Sequence, residues 1–203
     1  MNTTNEATTG STGRRRPRTP TWFARGWPSA AGIVFAAFVA FGSGTAAGYT
    51  DVAPVVTASA FVYLGAAALQ RRAAAWPMFL VSFVVITIGV TVPGLAPSWS
   101  SWWMLGIAAV LAAYGLARGA LRPPWGVPLQ AGAMVVCAAA AITAVNADAR
   151  WAGLVVSAGL LAHAAWDIYH HRVERVVARS MAEFCAVLDT LLALVVLGVT
   201  LTR

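Results

Sequence analysis

The chain has 203 residues, of which 59% are hydrophobic, and a mean hydropathy of +0.71. Only 10% are charged, against about 25% in an ordinary soluble domain, so too little polar side chain exists to cover a water-facing surface. The net charge of +7 comes from 14 basic residues, all of them arginine; they sit mostly between apolar blocks, as topology signals do, which argues against a nucleic-acid footprint, and the lack of lysine excludes a retinal Schiff base.

Residues 1–24 are rich in Thr, Ser, Gly, Pro and Arg and carry no apolar periodicity. They predict a disordered, basic cytoplasmic tail, with Arg14, Arg15, Arg16 and Arg18 against anionic lipid. Residues 25–203 predict one transmembrane domain of seven helices, over about 27–49, 52–70, 76–95, 99–117, 127–147, 151–171 and 183–201. Each block approaches the roughly 20 residues needed to cross hydrocarbon. The first block also has the composition of a signal peptide, with Gly44-Thr45-Ala46 as a cleavage-like end; Gly42, Gly44 and Gly48 equally suit close helix contact. Connections are short, as at Pro93-Gly94 and Pro123-Pro124. Asp51 and Asp148 read as loop residues. Cys137 and Cys185 fall in apolar blocks at different depths, so a disulfide is not expected.

Arginine placement sets an orientation. With the N terminus inside, twelve of the arginines fall on inner segments and only Arg150 and Arg203 outside, which is the expected bias for seven spans, a cytoplasmic N terminus and an external C terminus in the cell membrane. Trp27, Trp76, Trp99, Trp102, Trp125 and Trp151 stand near block ends, as interfacial belts do. The ends of blocks two and six, YLGAAALQRR and LAHAAWDIYHHR, echo one another and suggest a 3+1+3 arrangement of parallel repeats. The fold class is therefore all-α, a polytopic membrane helix bundle.

One constellation can carry chemistry. On the sixth helix His163, Asp167 and His170 are spaced i, i+4, i+7 and share a face, with His171 at its edge. On the seventh, Cys185 and Asp189 share a face. The two helices are antiparallel, and His163 and Asp189 lie at similar depth, about 12 Å from the inner end, so they can meet. Ionisable groups at that depth usually mark function. His163, Asp167, His170 and Asp189 are candidate metal ligands for Zn or Fe, with His163, Asp167 and Asp189 as candidate catalytic groups. His171, Cys185 and Glu183 are further candidates. Each has a plain alternative: His171 as an interfacial residue at a helix C terminus, Cys185 as core, and Glu183 in a capping box with Ser180. Arg172, Arg175 and Arg179 could hold an anionic lipid headgroup beside the site.

The stretch His163 to Asp189, H-x3-W-D-x2-H-H followed by C-x3-D, resembles small bacterial integral membrane families of unknown function; the likeness covers about 30 of the 203 residues and implies that the cluster is a family feature. Seven-span membrane hydrolases of the alkaline ceramidase and progestin/adipoQ receptor type are similar in span count, though their H-x3-H pair is missing. Membrane desaturases use H-x2-H-H, where this chain has Asp167 at the first position and none of the additional boxes. High Ala and Arg without Lys has the look of a high-GC bacterium.

Three readings follow. The first is a metal-dependent hydrolase or oxidoreductase acting on a lipid or isoprenoid from the cytoplasmic leaflet; its metal-free variant is a terpene cyclase with Asp167 or Asp189 as proton donor. The second is a transporter or small-molecule binding protein using the cluster as an ion or proton site. The third is a structural subunit with His and Asp as interhelical glue. Membrane lipids are the expected partners and nucleic acid is not; oligomeric state is not encoded in any pattern here.

Overall fold

The computed structural model describes residues 21–42 and 48–202, and throughout them the regular structure is helical. The helices are α1 (Thr21–Phe41), α2 (Tyr49–Ala68), α3 (Ala75–Thr91), α4 (Trp99–Ala117), α5 (Val127–Val145), α6 (Ala149–Val173) and α7 (Arg179–Thr202), with one short 3-10 turn at Arg72–Ala74. Six are long and apolar enough to cross a membrane, while the comparable part of the first is shorter, Gly26–Phe41. The bundle is thus an all-helical one of six to seven apolar helices compatible with a membrane.

The helix ends correct several sequence boundaries. Helix α1 starts at Thr21 and ends at Phe41, so four residues assigned to the tail are helical and the first block closes well before Tyr49. The remainder of the expected tail, and the cleavage-like Gly44-Thr45-Ala46, lie outside the described residues. Tyr49 belongs to α2, where Asp51 accepts the Gly48 N–H at 3.2 Å. Asp148 is the N-cap of α6, its Oδ1 accepting from the Arg150 and Trp151 N–H groups. Both aspartates read as loop residues in sequence; in the fold they satisfy helix-start donors. Helix α3 stops at Thr91 before Pro93-Gly94, whereas α6 and α7 run longer than their apolar blocks because polar first and last turns continue the helix.

Helix α2 is the hub. Fifteen of its twenty residues are buried, and it packs against α3, α4, α5 and α6. Its Val52, Val56, Val62 and Tyr63 join one core with α6 and α7, while its Ala58, Phe61 and Leu64 join a second with Met104 of α4 and Met134 of α5. Helix α3 is the opposite case, burying only Ala75 and Ser82. The α2–α3, α4–α5 and α6–α7 connections meet at one end of the bundle; the start of α2, the start of α6 and the end of α7 meet at the other.

Helix α1 lies along α7 by virtue of Gly32. A Cβ at Gly32 would stand 2.8 Å from the Phe184 carbonyl oxygen and 3.1 Å from the Val187 Cβ, so only glycine allows this approach. Gly32→Leu is expected to lower stability by about 1–3 kcal/mol through overpacking. Thermal unfolding in detergent checks this against Gly198→Leu, a position where a Cβ meets nothing within 4 Å.

Candidate metal centre

Helices α6 and α7 are antiparallel and packed along their length. His163 stands ten residues before the end of α6 at Val173, and Asp189 ten residues after the start of α7 at Arg179. At 1.5 Å rise each is about 15 Å from the shared end, somewhat deeper than the apolar blocks alone implied. The equal offsets bring the two side chains level.

They meet closely. His163 Nδ1 lies 3.1 Å from Asp167 Oδ2 and 2.9 Å from Asp189 Oδ2. Helix α2 supplies the third wall. Tyr63 donates its hydroxyl to Asp167 Oδ1 at 2.6 Å. The Ser59 hydroxyl lies 3.2 Å from Asp189 Oδ2 and 2.9 Å from the Val55 carbonyl, one turn back on its own helix. The Tyr63 ring packs edge-on to His163 and to His170, with centroids 5.3 and 4.9 Å apart. Asp167, Asp189, Tyr63 and Ser59 are all buried, and His163 is 7% exposed. Two buried polar atoms in this cluster have no hydrogen-bond partner, His163 Nε2 and Asp189 Oδ1, and such orphans cost about 1–3 kcal/mol each when nothing satisfies them.

One ligand atom from each of His163, Asp167 and Asp189 lies within 4.8 Å of the others, so the group could hold a metal ion. The donor chemistry fits. One imidazole nitrogen with two carboxylate oxygens suits zinc or non-haem iron. Two buried carboxylates and a neutral imidazole are balanced in charge by one divalent cation. The alternative, two protons shared among the three groups, balances charge equally but leaves a single Nδ1 serving two carboxylates. The hydroxyls of Tyr63 and Ser59 orient the carboxylates from outside, as outer partners do in metal sites.

The other sequence candidates fall away from this centre. His170 is buried on the same face of α6, but its Nδ1 donates to the Trp166 carbonyl at 3.1 Å, and its ring is packed among Tyr63, Trp166 and Tyr169. It lies outside the convergent three. His171 is 37% exposed and its Nε2 is 3.8 Å from Glu183 Oε2. Cys185 is buried with its Sγ 3.5 Å from Met181 Sδ, a core contact. Both cysteines are free.

The expected capping box at Ser180 and Glu183 does not form. The Ala178 carbonyl accepts from the N–H groups of Met181 and Ala182, which puts Ser180 inside the first turn and leaves it no cap to make. Its hydroxyl instead accepts the Trp76 indole N–H at 3.3 Å. Glu183 accepts a short hydrogen bond, 2.5 Å, from Ser29 of α1. Of the three arginines near the loop, Arg179 pairs with Glu174 at 2.8 Å. The guanidinium of Arg175 lies over the Trp125 ring at 4.8 Å.

Sequence reasoning passed over Ser59, Tyr63 and Gln130. Ser59 and Tyr63 carried a usable signal, a polar i, i+4 pair inside an apolar span. Gln130 stands in a largely apolar α5, whose other polar side chain is Thr143 near the far end. It is 1% exposed, its Nε2 donates to the Trp125 carbonyl at 3.1 Å, and its Oε1 has no partner. Gln130, Tyr63, Cys137 and His163 line an apolar cavity of about 330 Å³ between α2, α5 and α6. Leu129 and Val136, both largely exposed, form its outer edge, so the cavity reaches the flank of the bundle where lipid chains would lie.

Compared with known proteins, the chain matches no family model, no curated protein and no solved structure.

Proposed function

We propose that this chain is a multi-pass enzyme of the cell membrane whose centre, His163, Asp167 and Asp189, holds one zinc or iron ion and acts on a lipid or isoprenoid. The carrying observation is the convergence of one imidazole and two carboxylates from α6 and α7 at the wall of an apolar cavity that opens on the flank of the bundle. The reading also takes seven spans, with the N terminus cytoplasmic and the C terminus external. Arginine placement in the sequence supports that orientation, since the connections that meet beside Arg71, Arg122 and Arg175 then face the cytoplasm. On this orientation the centre belongs to the inner leaflet.

A bound ion would supply Lewis acidity and a water activated near neutral pH. The protein's own share is separable from that. Tyr63 and Ser59 fix the carboxylate planes. Leu129, Val136 and Ala140 keep the approach dry and apolar, which admits a hydrocarbon chain and disfavours a charged one. His163 stands where that chain's reactive end would arrive.

Metal analysis of the purified protein tests the reading. One equivalent of zinc or iron is expected in the wild type, lost in His163→Ala and in Asp189→Ala, and kept in Glu183→Ala, which breaks the unrelated bond to Ser29. A folded wild type that neither carries nor takes up zinc or iron would overturn the metal centre and leave the triad as hydrogen-bonded glue between helices.

A further inference from the structure

At the end of the bundle where the α2–α3, α4–α5 and α6–α7 connections meet, a pocket of about 360 Å³ is lined by Arg71, Arg72, Arg122 and Arg175, with Gln70 and Trp125. We propose that this pocket binds a phosphoryl group, and so that the protein recognises a phosphate-bearing anion at this end.

The backbone aims these side chains together. Gln70 and Glu174 both adopt the left-handed conformation, with φ of 52° and 48°. In non-glycine residues that conformation is uncommon and marks a sharp turn. Each ends its helix and turns the chain so that Arg71 and Arg72 after α2, and Arg175 after α6, reach the same concavity. Arg122 comes from the third connection. The Arg175 guanidinium rests over the Trp125 ring, a contact that fixes its plane without using its hydrogen-bond donors.

Topology alone does not ask for this. Arginines that only orient a membrane protein need to be on the right side, and nothing in that role requires them to converge on one hollow. Here four from three connections share one hollow, while Arg118, Arg172 and Arg179 lie outside it. No acidic side chain among the described residues lines the pocket. Among the described residues the one arginine in an ion pair is Arg179, with Glu174. Four like charges around one hollow repel each other until an anion enters. Guanidinium pairs with phosphate oxygens through two parallel hydrogen bonds, and several such forks around one hollow suit a dianionic phosphate monoester or a diphosphate better than a carboxylate. The volume is at the lower end of small-ligand sites, matching a head rather than a whole lipid. The proposal stands apart from the metal centre, since none of its residues belongs to that cluster.

The phosphate could be a lipid's or a free one, and the full chain in nanodiscs of zwitterionic lipid separates the two. Affinity is measured for inorganic phosphate and pyrophosphate added in solution, and for phosphatidic acid built into the disc. The double variant Arg122→Gln/Arg175→Gln is compared with Arg118→Gln/Arg172→Gln, which removes the same charge at the same end but outside the pocket. The pocket variant is expected to lose tenfold or more in affinity for whichever source binds, and the control to stay within about twofold. Binding by phosphatidic acid alone assigns a lipid headgroup; binding by the soluble anions assigns a free phosphate. Equal weakening in both double variants would reduce the arginines to general surface charge and sink the proposal, as would no binding of either source by the folded wild type. Unfolding curves of both variants guard against a folding defect; if the double variant fails to fold, Arg122→Lys, which keeps charge but loses the planar fork, replaces it and is expected to show the same loss.

Discussion

His163→Leu is expected to be among the most destabilising single substitutions in the chain. In the metal-free protein the His163 imidazole, protonated, is the one basic group among the described residues in contact with both Asp167 and Asp189. Its removal leaves two carboxylates facing each other, buried, with only Tyr63 and Ser59 to solvate them. Breaking a buried charge pair from one side costs about 3–5 kcal/mol, and here two charges are orphaned together. The cost arises from what remains, so removing the rest should restore stability. The triple variant His163→Leu/Asp167→Leu/Asp189→Leu is expected to regain most of the loss, because buried ionic groups replaced by apolar ones of similar volume are often neutral in stability. Thermal unfolding in a fixed detergent reads both. A single variant as stable as the wild type would show that the carboxylates are not held charged by the imidazole. A triple variant that stays as unstable as the single one would place the cost in packing rather than in charge.

Tyr63 carries the second large effect, and two substitutions divide it. Tyr63 is almost fully buried, ties α2 to α6 through Asp167, and fills the space between His163 and His170. Tyr63→Ala is expected to cost about 3–5 kcal/mol, the range for emptying a buried aromatic site. Tyr63→Phe keeps the ring and removes only the hydroxyl, so stability should fall by about 1.5–3 kcal/mol, as for a hydrogen bond to a charged group. If the centre is loaded with metal, Tyr63→Phe should also weaken metal affinity by about 10–100-fold, because the hydroxyl orients a ligating carboxylate. Competition with a chelator measures this. Unchanged metal affinity in a folded Tyr63→Phe would mean that Asp167 does not ligate.

The legible parts of this molecule were those set by local spacing. Apolar blocks and arginine alternation located the helices, and helical arithmetic put His163 and Asp167 on one face with Asp189 opposite. The interval between them across a short turn was enough to predict their meeting, because antiparallel neighbours keep register over a few turns. What stayed hidden depended on helices far apart in sequence. Nothing local in α2 says that Ser59 and Tyr63 will face α6 and α7; that is decided by which helix takes the centre of the bundle. Ser180-x-x-Glu183 satisfied a capping pattern, yet α7 began two residues too early for it, and tertiary contact with Ser29 and Trp76 took both side chains. The arginines illustrate the same limit. Their alternation between apolar blocks could be read from the sequence, but which of them share a hollow depends on how three separate turns come together.

The contrast between α2 and α3 reaches beyond this one chain. A helix walled in on all sides, as α2 is by α3, α4, α5, α6 and α7, can accept few changes of side-chain size, since each is felt at once by packed atoms. A helix that buries only Ala75 and Ser82 meets mainly hydrocarbon and can exchange one aliphatic residue for another freely. Among any diverged relatives, therefore, α3 should drift quickly while keeping its oiliness, and α2 should change slowly while keeping its shapes. Overall hydropathy would then be a poor guide to kinship in this bundle; the spacing of small and polar residues along α2, α6 and α7 is what descent would preserve.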